Sequence, residues 1–387
     1  MLTQTGCRQR QQNLWNRLPE SVEWVLIGDP RHVQYFCNFR INPVSFSADQ
    51  RCLLLLSRDG GSVLLADNFA RRTAVYDHFA DREIIIPWYT HKKSVTNRDH
   101  ALISALEECR DLWNSRNGAI EAEGVTALIA GMLPAENVST IADGTDQSIS
   151  IGSVIRDLRR QKLDDEIAVL ERCMAACDAG HTAAFDAVQA GASELDVYHA
   201  IATAAQQQAG CACVVYGDFR ATNANQFKAG GLPTEYRLQE GDLFIADYSV
   251  VLHGYRSDFT NTIAVGQPTA DQQRQFETCR DALLAAEQRL KAGEHGAAIY
   301  QAAADVFVQN GYPPLSHHCG HGLGMEHPEA PILVPESTDT LRDGDVVTIE
   351  PGLYVEGVGG MRFEHNYVVT RTGSRRLSNH TLSLTKP

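Results

Sequence analysis

The apolar run Leu243–Ala246 ends on an acid, Asp247, and eleven residues later stands Asp258. A buried strand that ends in a carboxylate needs a partner for the charge. If the chain turns back near Leu252–His253, the two aspartates lie directly opposite each other across a hairpin and share one face. A second pair of acids follows. Val346–Ile349 reads as a strand ending in Glu350, Pro351-Gly352 breaks it, and a strand over Met361–Val369 carries Glu364. The glycines within Gly357–Gly360 supply a hairpin turn between them. Two carboxylates this close raise each other's proton affinity or hold a cation between them. The bland alternative is that each acid caps its own turn.

Between the two pairs lies HHCGHGLGMEHPEAP, His317 to Pro331. Glycines flank His321 on both sides, letting the backbone come close and leaving the imidazole open to a ligand. His317 and His318 read as ordinary sheet residues. Charge arithmetic then constrains the site. Four ionised carboxylates in one pocket need about +4 of compensation. Arg256 and Arg362 supply at most half of that, whereas two divalent cations supply all of it. Oxygen-rich ligation with one imidazole suits Mn²⁺, Fe²⁺, Co²⁺ or Zn²⁺. Two such ions, ~3.5–4 Å apart, clamp and deprotonate a water, giving a hydroxide nucleophile at neutral pH.

The rest of the chain frames this cluster. At roughly 100–200 residues per domain, its 387 residues suggest two domains. The first, residues 1–155, alternates strand candidates (Trp24–Ile27, Cys52–Ser57, Ser62–Ala66, Ala119–Glu121) with helix candidates (Gln9–Leu18, Arg98–Trp113, Thr126–Leu133). That is an α/β layer pattern. It carries no obvious chemistry and is expected to be architectural, or to wall a site built elsewhere. A charged stretch, Arg156 to Glu166, marks the boundary. The second domain, residues 156–387, opens on an amphipathic helix with the stripe Ile167, Leu170, Met174, Cys177, Phe185 and Val188. His181 falls on that stripe as a core residue. Another helix runs from about Ser193 to Gly210. Strands over Cys211–Val265, helices over Ala270–Leu290 and Ala297–Gln309, and strands after Val346 make an α+β domain of two similar halves around one sheet.

The formal net charge of −14 argues against nucleic acid as a partner. Apolar runs such as Cys52–Leu56 fall far short of the ~20 residues that span a bilayer. The N-terminus lacks the apolar core of a signal peptide. Ten scattered cysteines read as reduced thiols in a cytoplasmic protein, with Cys173 and Cys177 as small core residues.

The acid pairs and the glycine-flanked histidine together resemble the pita-bread metallopeptidases: aminopeptidase P, prolidase, methionine aminopeptidase and creatinase. That family's pattern is Asp, Asp eleven residues on, His in Gly-His-Gly, Glu-Pro-Gly, then a last Glu. Asp247, Asp258, His321, Glu350 and Glu364 match it. The resemblance covers Arg156 to the C-terminus, and the first domain is similar to the creatinase-type N-terminal domain. It implies that Asp258 and Glu364 bridge two metals, that Asp247 chelates one, and that His321 and Glu350 bind the other. Mn²⁺ is the first expectation, and a homodimer is implied. This chain also departs from the pattern. Gly230 and Pro328 stand where substrate histidines are usual, Asn261 where an Arg is usual, and His365 where Asp is usual. His327 is then the remaining candidate for proton transfer or carbonyl contact. Glu350 or Glu364 could shuttle the proton, and Arg362 could bind a substrate carboxylate or neutralise the metal acids. The resemblance implies a metal-dependent hydrolase of a small peptide or amide, most simply an Xaa-Pro peptide. Creatinase-like C–N cleavage or lyase chemistry on a small molecule is the alternative. A metal-free binding module fits poorly with five intact ligand positions.

Overall fold

Every side chain of the strand Trp24–Ile27 (β1) is buried, so the sheet around it must be covered on both faces. The computed structural model describes residues 1–45, 51–94, 97–134, 138, 141–142 and 148–387. It divides into two units, Met1–Arg159 and Arg160–Pro387.

In the first unit β1 runs antiparallel to Cys52–Ser57 (β2), which pairs antiparallel with Gly61–Asp67 (β3). Arg82–Ile86 (β4) adds parallel to β3 and Gly118–Ile120 (β5) parallel to β1, giving the order β4-β3-β2-β1-β5. Trp24, Leu26, Leu53, Leu55, Val63 and Leu65 pack in one buried cluster with Leu102 and Leu106. The expected helices differ at their ends. Helix α1 (Gln4–Arg17) starts before Gln9 because the Thr3 hydroxyl caps it, accepting from the Gly6 amide at 3.0 Å. Asp99–Glu107 (α2) stops short of Trp113, whose indole donates back to the Leu106 carbonyl at 3.0 Å. The helix expected over Thr126–Leu133 is a single turn, Ala127–Ala130.

Glu121, expected inside a strand, lies just beyond β5 and does different work. It is buried and accepts from the amides of Gly28 at 2.9 Å and Asp29 at 2.7 Å. Its other oxygen meets His32 Nδ1, and His32 Nε2 meets Arg159 Nη1 at 2.9 Å. This buried chain extends the first unit to Arg159, a little past the expected boundary.

The second unit opens with Asp164–Ala187 (α3), whose first turn holds Asp164, Asp165 and Glu166. Its apolar side is Val169, Leu170, Cys173, Met174, Cys177 and Ala184, with His181 buried among them; Ile167 and Phe185 are only half-buried. Glu194–Ala209 (α4) begins at a Ser193 cap and ends at Gly210 in the left-handed region, φ +70°. Val214–Thr222 (β6) and Leu243–Leu252 (β7) are antiparallel, and Phe259–Ala264 (β8) pairs on the other side of β7. Helices Ala270–Glu287 (α5) and Gly296–Gln309 (α6) follow. A second sheet joins Gly320–Gly322 (β9), Glu329–Leu333 (β10), Val346–Ile349 (β11), His365–Val369 (β14) and Ser374–Arg376 (β15) in the order β10-β9-β11-β14-β15. Gly352–Val355 (β12) and Gly359–Arg362 (β13) form a separate ribbon.

Helix pair then sheet thus occurs twice, but the halves keep separate ladders where one shared sheet was expected. Side chains stitch them together. Thr262 Oγ1 donates to the Arg362 carbonyl and accepts from its amide, both at 3.0 Å. Thr222 Oγ1 does the same for Gly360, at 2.7 and 3.0 Å. The Glu364 amide donates to the Thr260 carbonyl at 3.0 Å.

Glu121→Ala leaves His32 and two amides without their acceptor, an expected loss of about 3 kcal/mol or more. All four tryptophans, Trp15, Trp24, Trp88 and Trp113, lie in the first unit, so tryptophan fluorescence during urea unfolding of the full chain reports on it alone. An unshifted midpoint would show that the buried chain is not structural.

Candidate metal centre

The acids converge through strand register. The β7 hairpin turns at His253 and Gly254, both with positive φ, 49° and 80°, the backbone that a tight two-residue turn demands. Asp247 consequently faces Thr260, and not Asp258 as expected. The register places Asp258 across from Ser249, two residues along. An even offset keeps its side chain on the same face. On the other half, Ile349 pairs His365 and Gly352 pairs Arg362, which puts Glu350 opposite Glu364. The strand expected over Met361–Val369 breaks between Arg362 and His365, and Glu364 sits in the break.

Carboxylate oxygens of Asp247, Asp258 and Glu364 come within 4.8 Å of one another. His321 Nε2 lies 3.4 Å from Asp258 Oδ2 and 3.3 Å from Glu350 Oε1. Its ring is buried, 1% exposed, and not open as expected. The flanking glycines serve strand packing: a Cβ at Gly320 would lie 2.0 Å from the Thr348 carbonyl, and one at Gly322 would lie 2.2 Å from that of Ala330. The Thr348 hydroxyl donates to Glu350 at 3.1 Å, and that of Thr260 to Glu364 at 2.6 Å.

The electrostatics are those of a crowded acid site. Burial, with repulsion from Asp258 and Glu350, raises Asp247 to about 6 despite the Arg362 guanidinium beside it. Burial and the same neighbours push Glu364 well above the carboxylate range. Burial works against charge on Glu350 too, but His318 and His321 outweigh it and hold Glu350 near about 2. Asp258 likewise stays below its usual range beside His321 and His327. Burial opposes the charged form of His321, yet Asp258 and Glu350 raise it to about 9.

The set fits a divalent ion pair. Glu364 Oε1 is buried with no hydrogen-bond donor, and Asp258 Oδ2 meets imidazole nitrogens without hydrogen-bond geometry. Bare oxygens converging beside an imidazole are the donors that Mn²⁺, Fe²⁺, Co²⁺ or Zn²⁺ take. The residues that would hold such ions are Asp247, Asp258, His321, Glu350 and Glu364.

Around this centre a cavity of about 350 Å³ opens. His327, 40% exposed, reaches Asp258 Oδ2 with Nε2 at 3.0 Å. Arg362 is committed to the chain: Nη2 pairs with Asp247 and, at 3.3 Å, with Asp218, while Nη1 donates to the Tyr354 hydroxyl at 2.7 Å. Sequence reasoning missed three residues here. His318 Nε2 contacts Glu350 at 3.1 Å, from a loop and not a sheet. Burial holds His317, at 3.4 Å from the Tyr354 hydroxyl, down at about 4. Asp218 faces Asp247 directly across β6 and β7. Its carboxylate would lie 2.9 Å from a Cβ at Gly230, so it fills the place toward which a side chain there would point. Asn261 is buried outside the site, donating to the Ser383 carbonyl, and His365 bonds Ser378.

Comparison with known proteins gives the family. A Xaa-Pro dipeptidase of Pyrococcus horikoshii is 30% identical over 59% of this chain, a match spanning 65% of that protein's own length. An uncharacterised peptidase of Staphylococcus aureus is 26% identical over 93% of this chain and 96% of its own. Among solved structures, a Xaa-Pro dipeptidase from Bacillus anthracis superposes with a TM-score of 0.76 at 22% identity, covering 98% of this chain and 99% of that one. An X-Pro aminopeptidase from Thermotoga maritima gives 0.75 at 19% identity, with 98% and 99% covered. These likenesses establish the two-domain pita-bread fold. The model for metallopeptidase family M24 matches residues 168–371, more than half of the chain and all five acid and histidine positions, and the chain belongs to that family.

Proposed function

We propose that the protein is a dinuclear metal-dependent peptidase acting on small peptides of the Xaa-Pro type. The observation that carries this reading is the convergence of Asp247, Asp258 and Glu364 oxygens within 4.8 Å, one of them buried without a donor. The names of the relatives, Xaa-Pro dipeptidase among them, support the substrate class. In this reading Asp247, Asp258, His321, Glu350 and Glu364 would hold the ions, with Asp258 and Glu364 serving both, Asp247 one, and His321 with Glu350 the other. When bound, the ions supply Lewis-acid polarisation of the substrate carbonyl and a water acidified to near neutrality. Arg362 keeps Asp247 paired and in place. His327, in contact with Asp258 and open to the cavity, is positioned to hold a proton at Nε2 and deliver it to the leaving nitrogen. Glu350 and Glu364 are the other proton carriers within reach of the centre. Mn²⁺ as the resident ion, a homodimer and a cytoplasmic location belong to the same proposal. The absence of a disulfide among the described cysteines fits the last of these.

A second reading, cleavage of a small non-peptide C–N substrate, gains from one observation. Gly230 offers no side chain and Asp218 occupies the space it would enter. Xaa-Pro dipeptides, longer Xaa-Pro peptides and small amides, assayed side by side, separate the two.

Three outcomes are expected. Loaded with Mn²⁺, the chain binds about two ions, measured by elemental analysis; a value near zero contradicts the reading. Asp258→Ala loses more metal than Asp247→Ala, because Asp258 belongs to both the carboxylate group and the histidine group. His327→Ala lowers turnover by ~10²–10⁴-fold while metal content holds. Near-full turnover would make His327 a bystander and leave proton transfer to the glutamates.

A further inference from the structure

His327 reaches the metal centre from a segment outside the sheet. Residues 323–328, between β9 and β10, form neither helix nor strand. What orders them is a carboxylate inside the bend. Glu329 Oε1 accepts from the Met325 amide at 2.8 Å and from the Glu326 amide at 2.9 Å. Two successive amides aimed at one anion make a nest, and the backbone folds around the charge. The wrapping is close: a Cβ at Gly324 would lie 2.8 Å from Glu329 Oε2. The next residue along is His327, whose Nε2 lies 3.0 Å from Asp258 Oδ2.

The charge in that bend is itself held. Glu329 Oε2 meets Lys162 Nζ at 3.2 Å, and the Lys162 and Glu329 side chains are 1% and 6% exposed. Lys162 stands just ahead of α3, and its amide donates to the Gly344 carbonyl at 3.0 Å. That ties it to the turn leading into β11, the strand that delivers Glu350. Neither Lys162 nor Glu329 lines the catalytic cavity. A buried ion pair is a poor source of stability, since an apolar pair of similar volume often serves as well or better. It is a good way to fix direction. The ammonium holds the carboxylate, the carboxylate holds two amides, and the amides set the path of the chain into His327. His321 takes its place from β9, whereas His327 lies in no strand.

Resting on the proton-transfer role given to His327 above, we propose that the buried Lys162–Glu329 pair is a positioning device that holds His327 against the metal centre. Both are positioning residues. They act on turnover through His327 and touch neither substrate nor ions.

The test is a double-mutant cycle on the Mn²⁺-loaded full chain, with Ala-Pro as substrate. Lys162→Met keeps the length of the side chain and removes its charge. It is expected to lower kcat about 10–100-fold, the loss that a displacement of about 1 Å brings, with KM and metal content held. Lys162→Arg restores most of the rate. In a His327→Ala background, Lys162→Met changes kcat by less than about twofold, because residues that act as a unit are not additive. Arg160→Met breaks a neighbouring buried pair, Arg160 Nη2 with Asp345 Oδ2 at 2.8 Å, and controls for lost stability. It keeps the wild-type kcat per folded chain. An equal loss from Lys162→Met with and without His327, or wild-type kcat in Lys162→Met, overturns the proposal.

A second readout needs no turnover. In nitrogen-15 histidine spectra of the Zn²⁺-loaded full chain, the His327 signal is the one lost in His327→Ala. Lys162→Met moves or broadens that signal and leaves the His181 signal, assigned the same way, in place. An unmoved His327 signal also overturns the proposal. If the wild type cleaves no Xaa-Pro peptide while the His327 signal still depends on Lys162, the positioning stands and the peptidase reading falls. If His327→Ala keeps full turnover, the proton-transfer role falls and the spectra decide. Should Lys162→Met fail to fold, Glu329→Gln, which keeps an acceptor for both amides, is taken through the same cycle and the same spectra.

Discussion

Buried negative charge is the constraint to which the second unit answers. Asp247, Asp258, Glu350 and Glu364 all converge on one centre, and Glu364 and Asp258 are almost wholly out of water. Carboxylates in that position must be neutralised, paired or given a cation. The chain provides partial relief through Arg362 on Asp247 and through His318, His321 and His327 against Glu350 and Asp258. The remainder is left to ions, and the undonated oxygen of Glu364 marks where the protein stops compensating for itself.

Holding these groups together requires two ladders to meet without merging. Thr222, Thr260 and Thr262 perform that task. The hydroxyls of Thr222 and Thr262 bond the Gly360 and Arg362 backbones, where strand-to-strand amide pairing would otherwise be needed, and that of Thr260 holds the Glu364 carboxylate. A threonine hydroxyl can both donate and accept, so it bridges backbones too irregular for a regular ladder. The irregularity is useful, because Glu350 and Glu364 sit where the strands interrupt and their side chains turn inward. The same logic explains the glycines around His321, which admit neighbouring carbonyls too close for any side chain.

Much of this was legible in the sequence, and the failures are instructive. The acid-ended strands, the Gly-His-Gly segment and the Glu-Pro-Gly break are local signals, and they led to side chains that the structure brings together. The hairpin was misread because its turn was centred one residue early; moving the centre by one moves every partner by two. His253-Gly254 carried the corrective signal, since glycine in the second place of a two-residue turn specifies the positive-φ backbone found there. Asp218 and His318 were invisible for a different reason. Their place beside Asp247 and Glu350 depends on partners 29 and 32 residues away in the chain, and no local periodicity reports such pairings. The solvent-facing side of the pocket, where substrate is chosen, was thus the least readable part. The first unit's sheet was read almost strand for strand, because fully buried strands announce themselves as unbroken apolar runs.

The hairpin between the two aspartates also limits how this segment can change in length. Side chains alternate faces along a strand, so the chain between Asp247 and Asp258 carries a parity. Inserting or deleting one residue would turn Asp258 away from the ions and toward the helix-covered face, where Tyr248 and Phe259 now pack. Adding two residues would lengthen the hairpin and leave both acids on the same side. Drift in this loop is therefore quantised: viable lengths differ in steps of two, unless a bulge absorbs the odd residue.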